Sequence, residues 1–501
     1  MSLPTNNQKW PPESWRTVYD IYAEHAAWYG SDLDTLASIY AQRIYSPYHE
    51  QTFAIADHLR NEMRDLVHVP AAADISNISA AMLFGEHPKI KIKEAQEENA
   101  SAEAKAAQEA LDDIVNKCGL YSVFSEAADT ASGMGGVFLK VNWNKDLSQY
   151  PIIDVAQVDN ALPEFHFGFL RAVTFWKELE TDGNTVYRLL ERHESGVILN
   201  GLYRGTPGNL GEQIGLTSRA DTADISPQIE TGLDSLACVY IPNMRPNRRF
   251  RGLRLGQSDY AASESLMLSL DDIFTSLLRD IKLGMGRIIA PEEFFDHDSD
   301  GQKRFDVFRQ AYLKVDAIQG GSAANDNIKV SQFAIRTQEH IDSALALLRQ
   351  IYTSAGYSPQ TFGLDINGTA ESGTALTIRE RKSFITTAKK ADYWRPALEY
   401  ILWAAQVIYK TKLDGKITPY KSTVEMQDSV QTDIGQIANS VKLLSDAQSA
   451  SIETRVRMVH PDWSVEQVKT EVQAILDEQG ANVPDPTTLG RGDSENDEEA
   501  E

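Results

Sequence analysis

The chain of 501 residues contains 42% hydrophobic and 24% charged residues, which is typical of a globular protein with room for about two to four domains. Its formal net charge of −24 argues against general binding of free nucleic acid, because such binding depends on Lys and Arg neutralising phosphates. No apolar run approaches the roughly 18 residues that a membrane span needs, the N-terminus lacks the build of a signal peptide, and the two cysteines, Cys118 and Cys238, fit a reducing compartment.

The first 135 residues are predicted to be mainly helical. Apolar side chains at Leu33, Leu36 and Ile39 recur at helical spacing. The sequence KIKI at residues 89–92 predicts a short strand, and the patterns that follow predict helices near residues 94–118 and 122–131.

Residues 136–255 are predicted to form the hairpins of a mixed sheet. Segments such as GVFLKVNW, VYRLLERH and GVILNGLYRG alternate in polarity and are separated by the turn signals DGN and HESG. The sequence GMGG at 133–136 leads into a strand rather than a helix, which predicts a tight turn and not a phosphate cradle. Glu191, His193 and Glu194 are close in sequence, but alternation along a strand sends neighbours to opposite faces.

Two amphipathic helices are predicted on either side of an insertion at residues 286–335. Each has apolar side chains at helical spacing. These are Leu266, Leu270, Ile273, Leu277 and Ile281 between Asp259 and Leu283, and Ile341, Leu345, Leu348 and Tyr352 between residues 337 and 355. The sequence RIIAP after Gly286 predicts a strand. The pattern indicates an out-and-back excursion, and on periodicity alone the preferred interpretation is a helical hairpin with a capping subdomain in a monomer.

An acidic turn inside the insertion begins like a calcium loop. Residues 296–301, DHDSDG, place Asp296 and Asp300 at alternating positions before a glycine. The match then fails, since the twelfth position is Val307, which cannot supply a bidentate carboxylate. A solvated turn is the preferred interpretation, and cation binding by Asp296 and Asp300 stays open.

A long loop and a long helix follow the second amphipathic pattern. The loop, residues 356–375, is rich in Gly, Ser and Thr, and a loop of about twenty residues inside a domain is usually functional. The helix that follows contains Pro396, which removes a backbone donor and crowds the preceding turn, so a kink is predicted there. Two or three helices and a tail are predicted beyond residue 433, and the acidic tail at 481–501 is predicted to be disordered.

Basic residues cluster in three places, where ion pairs within or between chains compete with phosphate contacts as explanations. The clusters are Arg245, Arg248, Arg249, Arg251 and Arg254; Arg279, Lys282 and Arg287 around the end of the first amphipathic helix; and Arg379, Arg381, Lys382, Lys389 and Lys390 on the long helix.

No arrangement of a nucleophile and a base is recognisable, and no metal or phosphate-binding signature is present. We therefore expect neither catalysis nor a cofactor. Two alternatives stay open: a hydrolase that uses acidic residues of the 137–240 region, and a monomeric adaptor or scaffold that binds protein partners.

Several segments together resemble the portal proteins of tailed bacteriophages, of the siphophage type. They include GGVFLKVNWNKD, VYRLLERHESGVILNGLYRGTPGNLG, GQSDYAASESLMLSLDDIFTSLLRDIKLGMGRIIAP and GYSPQTFGLDINGTAESGTALTIRERKSFITTAKKADYWRPALE, in order across most of residues 135–400. The resemblance implies an α+β fold, mostly helical, with a mixed β wing region, two long stem helices, an α/β clip, a long kinked helix and a helical crown. It places the wing at 1–255 and 376–432, the stem at 256–285 and 336–355, the clip at 286–335, the tunnel loop at 356–375 and the crown at 433–480.

The resemblance also implies a function. Portal proteins form rings, usually of twelve subunits and sometimes thirteen, at a capsid vertex, and double-stranded DNA passes through the channel during packaging and ejection. The implied partners are the terminase large subunit, a head–tail adaptor, and the major capsid and scaffolding proteins, with assembly in the host bacterial cytoplasm. The tunnel-loop residues expected to face DNA are Asn367, Thr369, Ser372 and Thr374, and Arg279, Lys282 and Arg287 are the basic residues expected near the channel.

Overall fold

The computed structural model describes residues 3–44, 67–97, 99–284, 287–289, 329–331, 335–364, 373–427, 434–460, 463 and 465–478. The chain divides into two compact units, Met1–Gln427 and Asp428–Glu501. Helices and several sheets are both present, as the sequence predicts. No described helix is both long and apolar enough to cross a membrane.

The first unit contains eight described α-helices. They are α1 (Arg16–Tyr29), α2 (Leu33–Ile44), α3 (Ala71–Phe84), α4 (Ala102–Lys117), α5 (Leu120–Met134), α6 (Glu264–Leu283), α7 (Thr337–Ala355) and α8 (Gly373–Lys412). Helix α4 starts later than predicted because Ser101 caps it, accepting a 3.1 Å hydrogen bond from the backbone of Ala104. Helix α5 ends at Gly135, whose φ of 85° is left-handed, and Gly136 begins the next strand, so the predicted tight turn is confirmed.

The strands form antiparallel sheets. They are β1 (Lys89–Ile92), β2 (Gly136–Asn142), β3 (Ile152–Gln157), β4 (Ala161–His166), β5 (Phe169–Asp182), β6 (Thr185–Glu194), β7 (Val197–Thr206), β8 (Asn209–Ile214), β9 (Gln228–Glu230), β10 (Cys238–Pro242), β11 (Arg287–Ile289), β12 (Lys329–Ser331) and β13 (Ser422–Glu425). Strands β4 to β8 are hydrogen-bonded in chain order with β9 beside β7, and a second sheet has the order β10-β2-β3. The predicted hairpins are therefore confirmed, whereas the predicted mixed sheet is wrong, because all described strand pairs are antiparallel. The predicted KIKI strand is β1, which pairs with β13.

Helices α6 and α7 are the two predicted amphipathic helices. Helix α7 has the predicted bounds, whereas α6 begins at Glu264 rather than near Asp259. The side chain of Asp259 is buried and bonded to other elements, and residues 259–263 form turns instead of a helical first turn. Beyond α6, β11 confirms the predicted strand and pairs with β12. Residues 290–328, which include the Asp296–Asp300 turn, lie outside the described residues.

The largest hydrophobic core of the first unit is built around the C-terminal half of α8. Seven α8 side chains are fully buried there, namely Trp394, Leu398, Ile401, Leu402, Ala404, Ala405 and Ile408. Full burial of a Leu or Ile side chain stabilises a fold by about 1.5–3 kcal/mol, so this half of α8 is a major contributor to stability. The helix continues through Pro396, which is exposed, and the predicted kink stays a prediction.

The second unit contains three described helices, in agreement with the prediction of two or three. They are α9 (Ile434–Asp446), α10 (Ile452–Val459) and α11 (Val465–Glu478). Ser451 caps α10 by accepting a hydrogen bond from the backbone of Thr454. Val456 and Val468 are buried, whereas Leu443 is 68% exposed. The predicted disordered tail at 481–501 lies outside the described residues.

Candidate functional site

The candidate site is the region where α7 leads into α8. Asn367, Thr369 and Ser372 lie outside the described residues, and Thr374 is described only as a position in the first turn of α8. The chain on either side of residues 365–372 is described, and its contacts show how Gly356 to Thr361 are held on α8.

Helix α7 ends at Gly356, which adopts a left-handed conformation with a φ of 97°. The hydroxyl of Thr386, on α8, donates a 2.6 Å hydrogen bond to the Gly356 carbonyl. A side-chain carbon at residue 356 would lie 2.9 Å from the Thr386 Oγ1, which is closer than carbon and oxygen normally approach. Only glycine satisfies both the backbone conformation and the close approach of α8.

Ser383 of α8 fixes the chain that follows. Its buried Oγ accepts a 2.8 Å hydrogen bond from the backbone of Ser358 and is bonded to the Thr361 hydroxyl, also at 2.8 Å. The hydroxyl of Ser358 donates in turn to the carbonyl of Arg379 at 2.8 Å. Residues 358–361, which include the short 3-10 helix Pro359–Phe362, are thereby bound to the first half of α8.

Aromatic packing completes the attachment. The rings of Tyr352 on α7 and Phe362 stack with centroids 3.7 Å apart, and the neighbouring Tyr357 is fully buried. We call Gly356, Ser358, Thr361, Ser383 and Thr386 the loop anchor. Its consequence is that the chain from Gly356 to Thr361 is held against the first half of α8.

A buried ion pair lies next to the loop anchor. Lys390 on α8 is fully buried, and its Nζ donates hydrogen bonds to a carboxylate oxygen of Asp259 and, at 2.7 Å, to Ser79 of α3. Asp259 also accepts hydrogen bonds from Ser132 of α5 (2.6 Å) and from Asn243, which follows β10 (2.8 Å). We call these five residues the Lys390 junction; they join α3, α5, α8, the end of β10 and the entry to α6.

The electrostatics of the junction favour a charged lysine. Burial alone would lower the pKa of Lys390, but the Asp259 carboxylate and the Tyr357 hydroxyl more than offset it, and the pKa is raised. Burial, followed by the charge of Asp259, raises the pKa of Tyr357 to about 12. In the sequence, Lys390 belongs to the basic cluster on the long helix, which is explained either by ion pairs or by phosphate contacts. The ion pair with Asp259 confirms the first explanation for this residue.

A Ser–His–Asp arrangement attaches the base of α6 to the N-terminal helices. Nδ1 of His68 lies 2.8 Å from the carboxylate of Asp271 on α6, and its Nε2 lies 3.2 Å from the Ser31 hydroxyl. Sequence reasoning missed this group, because its members come from three distant segments and share no local pattern.

The contacts of this group hold neighbouring elements in place. The N–H groups of Ser31 and Asp32 donate to the carbonyls of Trp28 and Ala27, so neither amide is available as an oxyanion donor. Asp271 also accepts a hydrogen bond from the backbone of Val69 at 2.9 Å. Its carboxylate therefore holds the chain before α3 against α6.

Helices α6 and α7 are joined at their far end by ion pairs. The Asp280 carboxylate contacts the His340 ring and the Arg336 guanidinium, both at 3.1 Å, and these hydrogen bonds lower the pKa of Asp280. Of the basic residues predicted near the channel, Arg279 is exposed on α6, whereas Lys282 and Arg287 are described by backbone position alone. Whether these residues face a channel stays a prediction.

Several acidic residues of the sheet region are held in ion pairs. Glu191 contacts His193 at 2.5 Å and Lys140 at 3.3 Å, and Arg192 binds both Glu164 and Glu194. Burial opposes ionisation of Glu191, but the hydrogen bond from His193 and the charge of Lys140 dominate and lower its pKa to about 2. Across the described ranges, no three His, Cys, Asp or Glu side chains are grouped so that they could hold a metal ion.

Comparison with known proteins agrees with the predicted resemblance. A family model described as "Phage portal protein, SPP1 Gp6-like" matches residues 241–485. That range begins at the end of β10 and includes α6, α7, the loop anchor, α8 and the three helices of the second unit. For residues 135–240 the resemblance stays a prediction. No curated protein sequence matches this chain.

Solved structures with partial similarity come from gene transfer agent particles. The neck of an empty GTA particle computed with C6 symmetry has a TM-score of 0.43 and 12% identity, and the match covers 77% of this chain and 88% of that chain. The virion of the native gene transfer agent (GTA) particle has a TM-score of 0.40 and 11% identity over 77% and 88% of the two chains. The neck of the native GTA particle computed with C12 symmetry has a TM-score of 0.39 and 10% identity over 80% and 89%. At these TM-scores the similarities carry no further argument.

The matched family is one of structural proteins and not of enzymes, which agrees with the expectation that this chain is not catalytic. Residues 241–485 therefore belong to the phage portal protein family of the SPP1 Gp6-like type, as the sequence resemblance to tailed-phage portals predicts.

Proposed function

We propose that copies of this chain form a ring at one vertex of a phage capsid and that double-stranded DNA passes through the ring during packaging and ejection. The observation that carries the proposal is the loop anchor within the matched portal region. It holds both flanks of residues 365–372 on α8, so that this polar stretch can project into an opening without loosening the fold.

The charge of the chain suits a conduit rather than a binding site. With a net charge of −24, most of the surface repels phosphates, and the loop sequence DINGTAES offers small polar side chains and no cation. Each neutralised phosphate would add affinity and slow the movement of DNA. Asn367, Thr369, Ser372 and Thr374 are the residues that we propose to line the narrowest part of the channel.

The remaining assignments follow the portal resemblance. In this proposal residues 256–285 and 336–355, which contain α6 and α7, form the stem, and residues 286–335 form the clip. Residues 356–375 form the tunnel loop, residues 433–480 the crown, and residues 1–255 and 376–432 the wing. The clip would dock the terminase large subunit during packaging and the head–tail adaptor afterwards, and the wing would meet the capsid and scaffolding proteins. The protein would thus act as the head–tail connector of the virion after assembly in the host cytoplasm.

The particle mass tests the proposal directly. Twelve copies of the 55.8 kDa chain give an assembly of about 670 kDa, and thirteen would give slightly more. Light scattering should give a mass in this range, and negative-stain images should show annular particles with a hole wide enough for a duplex. A mass of one chain under every assembly condition, as the monomeric adaptor alternative predicts, would contradict the proposal.

A further inference from the structure

The turn between β4 and β5 exposes two aromatic side chains. Phe167 is 88% exposed and Phe169 is 79% exposed. Phe167 has a φ of 49°, a left-handed conformation that is unfavourable for a bulky residue, and the adjacent Gly168 has a φ of 87°. The backbone therefore accepts strain in a turn that holds two large apolar rings in solvent, which is unusual unless another surface covers them.

An arginine-rich segment lies against the same turn. A side-chain carbon at Gly168 would lie 3.1 Å from Nε of Arg254, so the Arg254 guanidinium rests on the turn itself. Phe250 and Leu253 pack on the hydrophobic cluster that also receives Phe165 and Leu170 from the two strands. The hairpin and the arginine-rich segment thus form one continuous surface.

Four guanidinium groups of this surface have no carboxylate partner among the described residues. They belong to Arg171, Arg248, Arg251 and Arg254, all of which are exposed. The other two arginines of the segment are engaged, because Arg249 contacts Glu264 and Arg245 donates to the Arg254 carbonyl. We call the four unpaired arginines together with Phe167 and Phe169 the Arg–Phe patch.

We propose that the Arg–Phe patch docks onto an acidic surface of a neighbouring copy of this chain. The inference rests on the proposed ring. Arginine and aromatic side chains are the residues that most often dominate the binding energy of protein interfaces, and a planar guanidinium matches a carboxylate in two hydrogen bonds. Each copy carries a net charge of −24, so a concentrated positive patch on one copy is complementary to much of the surface of the next.

The charge of the patch also determines the type of contact. Two identical patches that faced each other would bring eight unpaired arginines together, which like-charge repulsion disfavours. The contact must therefore join two different surfaces, in a head-to-tail arrangement. Head-to-tail contacts generate closed rings when the rotation between copies closes, and they do not generate two-fold dimers.

Nucleic acid is the competing occupant, since arginine and aromatic side chains also bind single strands. The proposed ring favours the protein partner, because neighbouring copies are held side by side in it, whereas a free strand must approach a chain with a net charge of −24. The experiment below distinguishes the two.

The test uses the full chain and two double variants. Arg251→Glu with Arg254→Glu reverses the charge of the patch, and Phe167→Ser with Phe169→Ser removes its rings. The matched controls are Arg204→Glu, an exposed arginine on β7, and Leu147→Ser, a side chain that is 77% exposed in another turn. Circular dichroism should show unchanged folding for all four, since the altered side chains are exposed.

Light scattering across a concentration series measures ring assembly, and fluorescence anisotropy measures binding of single-stranded and duplex DNA. We expect each double variant to raise the concentration needed for half-assembly by about tenfold or more, and the controls to leave it unchanged. Higher salt should weaken wild-type assembly, because partly exposed charge pairs are screened.

Mixing provides a second readout. A patch variant keeps its acidic surface, so the patch of a wild-type copy can still bind it. Its own altered patch cannot bind a further copy, so the growing assembly stops there. Equal mixtures should therefore yield incomplete arcs in electron micrographs. The docking proposal would be overturned if both double variants formed rings at the same half-assembly concentration as the wild type. It would also be overturned if the variants lost DNA binding but assembled normally. Either result would leave the ring proposal standing. Wild-type chains that stay single would overturn both.

Discussion

Lys390 illustrates how much depends on a single residue inside this fold. Its charge is buried, paired with Asp259 and surrounded by groups from α3, α5 and the end of β10. Removing one partner of a buried ion pair leaves the other charge without compensation and typically costs about 3–5 kcal/mol. An apolar side chain at this position would avoid the cost of desolvation, but the charged pair joins α3, α5, α8, the end of β10 and the entry to α6 in one defined arrangement.

We therefore predict that Lys390→Met lowers the free energy of unfolding of the first unit by about 3–5 kcal/mol. Adding Asp259→Asn should cost less than the sum of the two single changes, because both charges are then gone. Because the pKa of Lys390 is raised, the contribution of its charge is lost only as the pH rises through and above the ordinary lysine value, so urea denaturation at pH 7 measures that contribution in full.

Lys389→Met is the matched control, since that neighbouring lysine is exposed. Its effect should stay within about 0.5 kcal/mol. Equal effects of the two substitutions would contradict a structural role for the buried pair.

Glu191 gives the clearest pH-dependent prediction. Its pKa is lowered from the ordinary value of 4.5 to about 2, despite burial, by His193 and Lys140. A carboxylate with a lowered pKa stabilises the fold above its ordinary pKa and loses that contribution as the pH falls towards the folded value. The melting temperature of Glu191→Gln should therefore lie below that of the wild type at pH 6, and the gap should narrow between about pH 4.5 and pH 2. A gap that stays constant over this range would show that Glu191 is not linked to stability through its ionisation.

At the scale of the elements, the loop anchor depends on a glycine. Gly356→Ala combines a left-handed φ with a contact of 2.9 Å to the Thr386 Oγ1, so we predict a loss of about 1–2 kcal/mol in the free energy of unfolding. Hydrogen exchange should also accelerate at the Ser358 amide, which donates to Ser383. Gly208→Ala, at a site with no atom within 4 Å of the added carbon, serves as the control. Unchanged exchange at Ser358 in the Gly356 variant would show that the anchor does not depend on this turn.

The sequence predicts the elements well and their junctions poorly. Periodicity defines α7 to the residue and locates β1 and the hairpins, because local patterns encode local structure. Periodicity misplaces the start of α6, because Asp259 is hydrogen-bonded to Lys390, 131 positions further along the chain. It also does not predict the hydrogen bond between His68 and Asp271. Such contacts depend on tertiary packing, which one sequence read alone does not contain. The loop is predicted as a loop, but its attachment to Ser383 and Thr386 is not.

At the scale of the whole molecule, the proposal assigns ring assembly and DNA transport to different parts of the chain. The loop anchor keeps Ser358 and Ser383 bonded whatever residues 365–372 contact, so changes within that stretch should leave the first unit intact. We predict that deleting part of residues 364–374 leaves rings of normal mass and blocks the packaging of DNA. A deletion of equal length in the exposed turn around Leu147 should leave packaging unchanged. Rings that lack part of 364–374 but package DNA at the normal level would show that this stretch is not the tunnel loop.

The two halves of helix α8 contact different parts of the structure. Its C-terminal half supplies side chains such as Trp394 and Leu402 to the largest core, whereas Ser383 and Thr386 belong to the loop anchor and Arg381 and Ile385 are exposed. If the proposed function holds, a phage population evolving under pressure on DNA passage can therefore sample new residues at exposed positions such as Arg381 and Ile385 at small cost. Substitutions nearer to Ile408 would be removed by misfolding before selection on genome delivery could act on them.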